Sequence, residues 1–391
     1  MTDGETLYLV LVILYLLEGA AWVPRGSIAL CARSADWALP RLPHRTIGNA
    51  RGGAVIGFPF LTNATVFIVP QWPVSLSPDG VLFWVAESME LEERPDHPGH
   101  FFHFDAIRDV SAHGRNVWLN GESILELTSP NMARQLVEII THLQTLPRNE
   151  RAAAIDEFLA KRFDVEAAKS RLRDFYAQTA GLRTSSFVLW LVTLVLVPAL
   201  AMRLGFERIW IVAIGAVYLA TWVTATLWVR LHRKYFPLER LERWGYAIML
   251  GLVPVSGMRA VDLLAKKILH DFHPAAAVAA VAPQNRLKRF LSYLLRDARH
   301  PMLPSCPTDD PDARATEAFY RNAMTNRMAK MASSLSFNPD ELSALPAATG
   351  DIEGEMCCPR CHARYAPEMR VCEDCGGVGL EPAKIKDLAV A

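Results

Sequence analysis

The chain has 391 residues, of which 51% are apolar, and its 41 basic side chains are balanced by 41 acidic ones. This length accommodates two or three domains with their own cores. The zero net charge gives no reason to expect nucleic acid or a strongly acidic partner. Of the seven cysteines, five lie between positions 357 and 375, and such crowding is typical of metal binding and not of a disulfide framework.

The first apolar run covers residues 7–23 and is broken only by Glu18. It predicts a transmembrane helix within residues 1–24. A cleaved signal peptide is the alternative, since residues 19–21 are small, although no Lys or Arg precedes the run. A charged residue inside a span is costly to bury, so Glu18 is a candidate for transport or proton handling. The alternative is that Glu18 lies near the membrane interface, where Arg25 compensates its charge.

Five arginines follow this run, and only Asp36 opposes them: Arg25, Arg33, Arg41, Arg45 and Arg51. By the positive-inside rule, this excess places the following segment in the cytosol and the N-terminus outside.

Residues 25–146 contain short aromatic or β-branched runs separated by turn residues. They predict a strand-rich cytosolic domain with strands near residues 53–60, 65–69, 81–85, 101–104, 116–119 and 124–127. Asn120-Gly121 predicts a hairpin, and Ser129-Pro130 predicts the start of a closing helix that continues to Leu146. Strands closed by one amphipathic helix resemble pleckstrin-homology-like domains in the pattern of elements.

Three histidines lie three residues apart, at His97, His100 and His103. They are candidate metal ligands. Pro98 and Gly99 instead predict a loop that leads into a strand, in which His100 and His103 point to opposite faces.

Residues 147–184 are helical and charged, with Asp164 as a predicted helix cap. Two further spans are predicted at residues 187–202 and 209–229. The connection between them is short, so residues 185–230 are expected to form an antiparallel hairpin. Small side chains recur every four residues in the last span, at Ala216, Ala220 and Thr224, and allow a neighbouring helix to approach closely.

Residues 231–335 are predicted to form amphipathic helices at the inner face of the membrane. The apolar run 246–255 has the length of an interfacial or re-entrant piece. Residues 259–272 and 285–299 predict basic amphipathic helices. These lie either in the headgroup plane or against the strand domain, and the sequence favours neither alternative. Asp310-Pro311 predicts one more helix start.

Residues 336–355 predict a flexible linker, residues 356–380 a metal module, and residues 381–391 a tail. Two Cys-x-x-Cys turns, Cys358/Cys361 and Cys372/Cys375, can place four thiolates around one Zn²⁺. Cys357 could replace Cys358, but only Cys358 gives both pairs the same gap. Iron would use the same ligands, although no redox partner favours it.

The motifs Cys358-Pro-Arg-Cys361 and Cys372-Glu-Asp-Cys375-Gly resemble the zinc-ribbon family over about 20 residues. His362 departs from the glycine usual in the first knuckle, and the second knuckle lacks its proline. The resemblance implies a structural zinc site on a reducing, cytosolic side. Basic and acidic residues are balanced around it, and Tyr365 is its only aromatic side chain. Protein docking or structural stapling is therefore expected before nucleic-acid binding.

The fold class predicted from these patterns is an α+β integral membrane protein with three transmembrane helices, a cytosolic strand-rich domain, cytosolic amphipathic helices and a C-terminal zinc ribbon. The prediction places it in the cell (inner or plasma) membrane with its C-terminus in the cytosol. No nucleophile elbow, phosphate loop, dinucleotide fingerprint or metalloprotease helix is present in the sequence. We therefore expect a non-enzymatic adaptor or assembly protein with a protein partner or as a homo-oligomer. The alternative is a subunit of a transporter or lipid-handling complex.

Overall fold

The computed structural model is a mixture of helices and small sheets. It describes residues 3–18, 20–23, 27–32, 53–56, 65–70, 72–83, 100–282, 284–299, 310–344, 356–357, 364–372 and 378–382.

The strands are β1 Ala20–Val23, β2 Ser27–Ala32, β3 Gly53–Ile56, β4 Thr65–Pro70, β5 Val74–Leu76, β6 Gly80–Phe83, β7 His100–His103, β8 Val110–His113, β9 Asn116–Leu119, β10 Glu122–Glu126, β11 Met356–Cys357, β12 Arg364–Tyr365, β13 Val371–Cys372, β14 Val378–Gly379 and β15 Glu381–Pro382. All pair antiparallel, in the orders β1-β3, β2-β4, β5-β6-β7, β8-β9-β10, β12-β11-β15 and β13-β14.

The helices are α1 Asp3–Glu18, α2 Pro130–Thr145, α3 Arg148–Arg162, α4 Val165–Gln178, α5 Ala180–Leu191, α6 Val197–Leu204, α7 Phe206–Tyr235, α8 Arg240–Leu252, α9 Pro254–Gly257, α10 Ala260–Ala265, α11 Pro274–Val281, α12 Gln284–Arg299, α13 Pro311–Ser334 and α14 Pro339–Ser343. A 3-10 turn covers Phe104–Ala106, and a π turn, Val192–Leu196, joins α5 to α6.

The predicted turn and cap residues occupy their expected places. Asn120 and Gly121 have φ of 51° and 86° between β9 and β10, as a two-residue hairpin requires. The Ser129 hydroxyl accepts a hydrogen bond from the Met132 amide at 3.3 Å, and the Asp164 carboxylate accepts one from the Ala167 amide at 2.8 Å. Local backbone chemistry therefore sets these element boundaries.

Two cores form the body of the protein. The first lies between the sheets β5–β10 and helices α2, α3 and α13, and includes Phe83, Leu136 and Leu159. The second packs β2 and β4 against α4 and α10–α14. The apolar faces predicted for residues 259–272 and 285–299 are buried in this second core. This burial favours packing inside the protein over a position in the headgroup plane.

Polar contacts tie the two cores together. The backbone amide of His273, which precedes α11 in the second core, donates a hydrogen bond of 2.8 Å to the carbonyl of Arg162 at the end of α3. Asp271 accepts a hydrogen bond from Asn131 at 2.8 Å and forms an ion pair with Arg171. The body is therefore expected to move as a unit, because the hydrogen bonds from His273 to Arg162 and from Asn131 to Asp271 join elements that belong to different cores.

Two helical stretches are long and apolar enough to cross a membrane, Ala180–Leu204 and Glu207–Tyr235. They form the predicted hairpin, turning at Gly205. The first predicted span differs from expectation, because the helix ends at Glu18 and Ala20–Val23 is a strand paired with β3. An apolar run alone does not distinguish the end of a helix from a buried strand.

The predicted apolar run 246–255 folds back along the hairpin. Helix α8 runs antiparallel to α7, and its end is held by hydrogen bonds from Trp222 to the Gly251 carbonyl at 3.2 Å and from Tyr218 to the Leu252 carbonyl at 3.4 Å. The chain turns at Pro254, which begins α9 and has no amide hydrogen to continue the hydrogen bonding of α8. We call residues 240–257 the re-entrant segment.

Candidate functional site

A group of titratable side chains lies, largely buried, where α7 ends and the re-entrant segment begins. Its members, the junction cluster, are His232, Glu239, Glu242, Lys267 and His270. The Lys267 ammonium lies 2.8 Å from Glu239 Oε2 and 2.6 Å from Glu242 Oε1, and His232 Nε2 lies 3.6 Å from Glu239 Oε2. The Glu239 side chain is 2% exposed and that of Lys267 16%.

Burial controls the charge state of this cluster. It raises the pKa of Glu239, against the opposing effect of the Lys267 ammonium. Burial and the same ammonium lower the pKa of His270 to about 4, so His270 is neutral at physiological pH. The Lys267 ammonium lies between the two carboxylates, which makes the cluster an internal ion-pair network.

The junction cluster also connects α7 and α8 to a sheet. The carbonyl of Lys266 accepts a hydrogen bond from the Ile68 amide of β4 at 3.1 Å, and the next residue, Lys267, holds the start of the re-entrant segment. A sequence reading cannot find this arrangement, because Glu239 and Lys267 meet only after the chain has folded back. The only sequence signal was the amphipathic pattern of residues 259–272.

A second buried charged group lies where the chain returns from the re-entrant segment. Arg259 Nη1 is 3.5 Å from Asp262 Oδ2, with the two side chains 4% and 9% exposed. The guanidinium carbon of Arg259 lies 4.9 Å from the centre of the Tyr15 ring of α1. This group therefore brings α1 against the re-entrant turn, and burial raises the pKa of Asp262 to about 6.

Replacing Asp262 with Asn should change the pH dependence of stability. The folded-state pKa of Asp262 is raised, so ionisation costs stability, which is lost as pH rises from about 4 to about 6. We expect the unfolding free energy of wild type, relative to that of the variant, to be about 2 kcal/mol higher at about pH 4.5 than at about pH 7.5. The measurement is the difference in unfolding free energy between the two proteins at both pH values. His270 titrates in both proteins and cancels. A difference that does not vary with pH would contradict this account.

The re-entrant turn approaches the hairpin closely. Ser186 of α5 donates a hydrogen bond to the Gly257 carbonyl at 3.0 Å, and a Cβ on Gly257 would lie 2.7 Å from Leu189 Cδ2. The same Cβ would lie 3.9 Å from Thr224 Cγ2. The turn at Gly257 therefore packs against the predicted small-residue face of α7 at Thr224, whereas Ala216 of the same face is exposed.

The metal module forms short hairpins around its two cysteine pairs. Cys357 of β11 pairs with Arg364 of β12, so residues 358–363 connect those strands. Cys372 of β13 pairs with Val378 of β14 around residues 373–377. The predicted ligands Cys358, Cys361 and Cys375 lie outside the described residues, as does the side chain of Cys372. The zinc site therefore stays a prediction.

The other predicted positions are not brought together. His100 and His103 of β7 are both exposed, and His103 Nε2 lies 3.2 Å from Asp312 Oδ2. His97 and the side chain of Glu18 lie outside the described residues. Among the residues that the structure describes, no three His, Cys, Asp or Glu side chains are grouped to hold a metal ion.

Comparison with known proteins gives no relative. No family model, curated protein or solved structure matches the chain. The pleckstrin-homology-like and zinc-ribbon resemblances thus rest on the chain's own residues.

Proposed function

We propose that the protein is a non-enzymatic membrane-anchored adaptor, with a rigid body at the inner face of the cell membrane and a zinc-ribbon docking module. One observation carries the membrane assignment. Among the described residues, every exposed large apolar side chain except Val371 lies within residues 8–16 or 187–253. A core helix of a soluble protein would hide these side chains, yet only 17% and 22% of the apolar windows of the two span-capable helices are buried.

The proposed topology has three spans and the N-terminus outside. The outward-facing apolar side chains of α1 support the first span, including Leu9 at 47% and Ile13 at 46% exposure. At 1.5 Å per residue α1 is about 24 Å long, somewhat less than the hydrocarbon thickness of about 30 Å. The basic residues Arg230, Arg233 and Lys234 close α7 and support an inner position for its end.

The adaptor role is supported by how the body is built. The two cores share part-buried polar contacts, and the junction cluster fixes the second core to the hairpin. A rigid platform of this kind suits a protein that holds a docking module at the inner face of the membrane. The two short hairpins around the cysteine pairs support the ribbon as that module, because zinc ribbons place their ligands in such turns.

The zinc and docking roles are tested together by Cys372→Ser/Cys375→Ser. We expect loss of one equivalent of zinc and of the captured protein partner or second copy, because a site with two ligands left cannot close around the ion. The protein should stay in the membrane fraction. The measurements are metal analysis and cross-linked pull-down from native membranes. Cys357→Ser, one residue outside the ligand set, is the matched control and should keep both zinc and partner. Retention of every partner without zinc would refute the docking role.

A lipid-handling or transport subunit is the second candidate, and the re-entrant segment favours it. Trp222 donates a hydrogen bond to the end of α8 and lies about 12 Å along the axis of α7 from Arg230, the first basic residue at the inner end of that helix. In a bilayer crossed by the hairpin, the turn would therefore reach well into the apolar layer, as broken helices do in transporters. An activity carried by this segment would survive the loss of zinc, which distinguishes it from the adaptor role.

A further inference from the structure

A groove on the outer side of the junction cluster is lined by three arginines from three different elements. Arg115 comes from the β8–β9 turn, Arg134 from α2 and Arg240 from the start of α8. The groove has a volume of about 370 Å³. We propose that it binds the phosphate of an anionic phospholipid in the leaflet that faces the body of the protein. The inference goes beyond the adaptor role but rests on the proposed insertion in the membrane.

The charges of the groove favour an anion. Its two acidic residues, Glu239 and Glu242, are both held by Lys267 on the inner side. Arg115 forms an ion pair of 2.7 Å with Glu126, and both side chains are more than half exposed. An exposed ion pair of this kind contributes little free energy, so Arg115 can exchange Glu126 for a phosphate group. Guanidinium groups bind phosphate oxygens in pairs, so three of them around one groove suit a phosphodiester.

The position of the groove selects lipid as the source of that phosphate. Its floor includes Leu238 and Leu241, exposed by 43% and 89%, and Trp244 follows one turn later at 67%. Leu241, Trp244, Ile248 and Leu252 continue as one exposed stripe along α8. Tryptophan is enriched at the level of the headgroups. The exposed apolar stripe of α8 therefore extends from the groove toward the position of the acyl chains, and the arginines lie at the other, polar end.

The test uses the full-length protein purified in neutral detergent, with phosphatidylglycerol, phosphatidylcholine or inorganic phosphate added separately. Bound lipid is counted by native mass spectrometry, and the unfolding midpoint is followed in parallel. We expect phosphatidylglycerol to be retained roughly tenfold more strongly than phosphatidylcholine, which corresponds to about 1.4 kcal/mol. Inorganic phosphate should not compete at equal concentration, because it lacks the acyl contact with Leu241 and Trp244.

The variant Arg115→Gln/Arg134→Gln/Arg240→Gln should lose the preference between the two lipids. The control Arg108→Gln/Arg173→Gln/Lys330→Gln removes the same charge from exposed positions of the body and should keep it. If the triple variant does not fold, the single variant Arg240→Lys replaces it, which keeps the charge but loses paired hydrogen bonds and should weaken retention.

Three outcomes would overturn the inference: equal retention of both lipids by wild type, equal competition by phosphate, or an unchanged preference in the groove variant. Alkaline extraction of native membranes separates this result from the proposed function. If the protein stays in the membrane but shows no lipid preference, the proposed lipid site in the groove is wrong and the proposed membrane insertion is unaffected.

Discussion

The Lys267→Met variant is expected to unfold roughly 4 °C below wild type. The substitution leaves Glu239 buried with no cation, and breaking a buried ion pair on one side costs about 3 kcal/mol. The cost is limited because burial raises the pKa of Glu239, so the carboxyl takes up a proton more readily once the Lys267 ammonium is removed. The measurement is thermal unfolding in detergent, followed by intrinsic fluorescence.

Two companion variants make this result specific. Lys234→Met removes an exposed lysine near the end of α7 and should change stability by less than about 0.5 kcal/mol. Lys267→Met/Glu239→Gln removes the stranded charge together with its partner and should recover most of the loss. Equal midpoints for Lys267→Met and Lys234→Met would show that the junction cluster does not stabilise the fold.

The Gly80→Ala variant is expected to destabilise the strand-rich body by about 3 kcal/mol, because overpacking against backbone cannot relax through a side chain. A Cβ at this position would lie 2.2 Å from the carbonyl oxygen of Phe102 in the paired strand β7, and 2.7 Å from Phe101 Cζ. The neighbouring Ser77 hydroxyl, 2.8 Å from that of Thr316, holds α13 on this turn. We therefore expect faster proteolysis within α13 together with a lower unfolding midpoint.

Gly181→Ala is the matched control for this substitution. Gly181 lies in α5 and its φ is not in the left-handed region. Apart from its chain neighbours and the backbone of its own helix, no described atom lies within 4 Å of its would-be Cβ. Alanine is favoured over glycine in a helix by up to about 1 kcal/mol, so this variant should be neutral or more stable. A Gly80→Ala protein as stable and protease-resistant as wild type would contradict the close approach of β6 and β7.

The sequence was informative where structure is set by local chemistry. Ser129, Asp164 and Asp310 cap the helices that follow them, and Asn120-Gly121 forms the predicted hairpin. The side-chain face of α2 was also predictable, because period-3.6 burial depends on neighbours within one helix.

The features that could not be predicted from the sequence depend on contacts between distant parts of the chain. Ala20–Val23 continues an apolar run, and only its pairing with Gly53–Ile56 makes it a strand. The junction cluster is hidden for the same reason, since Lys267 meets Glu239 only after the re-entrant segment has turned at Pro254. Basic residues near a span usually indicate the headgroup layer, yet Arg259 and Lys267 are turned inward to partners that the pattern cannot name.

The adjacent residues Lys266 and Lys267 have a mechanical consequence. One binds strand β4 through its backbone, and the other binds the start of the re-entrant segment through its side chain. Because these anchor points are consecutive along the chain, no flexible stretch can absorb a relative displacement. Tilting of the hairpin, as a bilayer of different thickness would impose, is therefore transmitted directly to the β2–β4 pair.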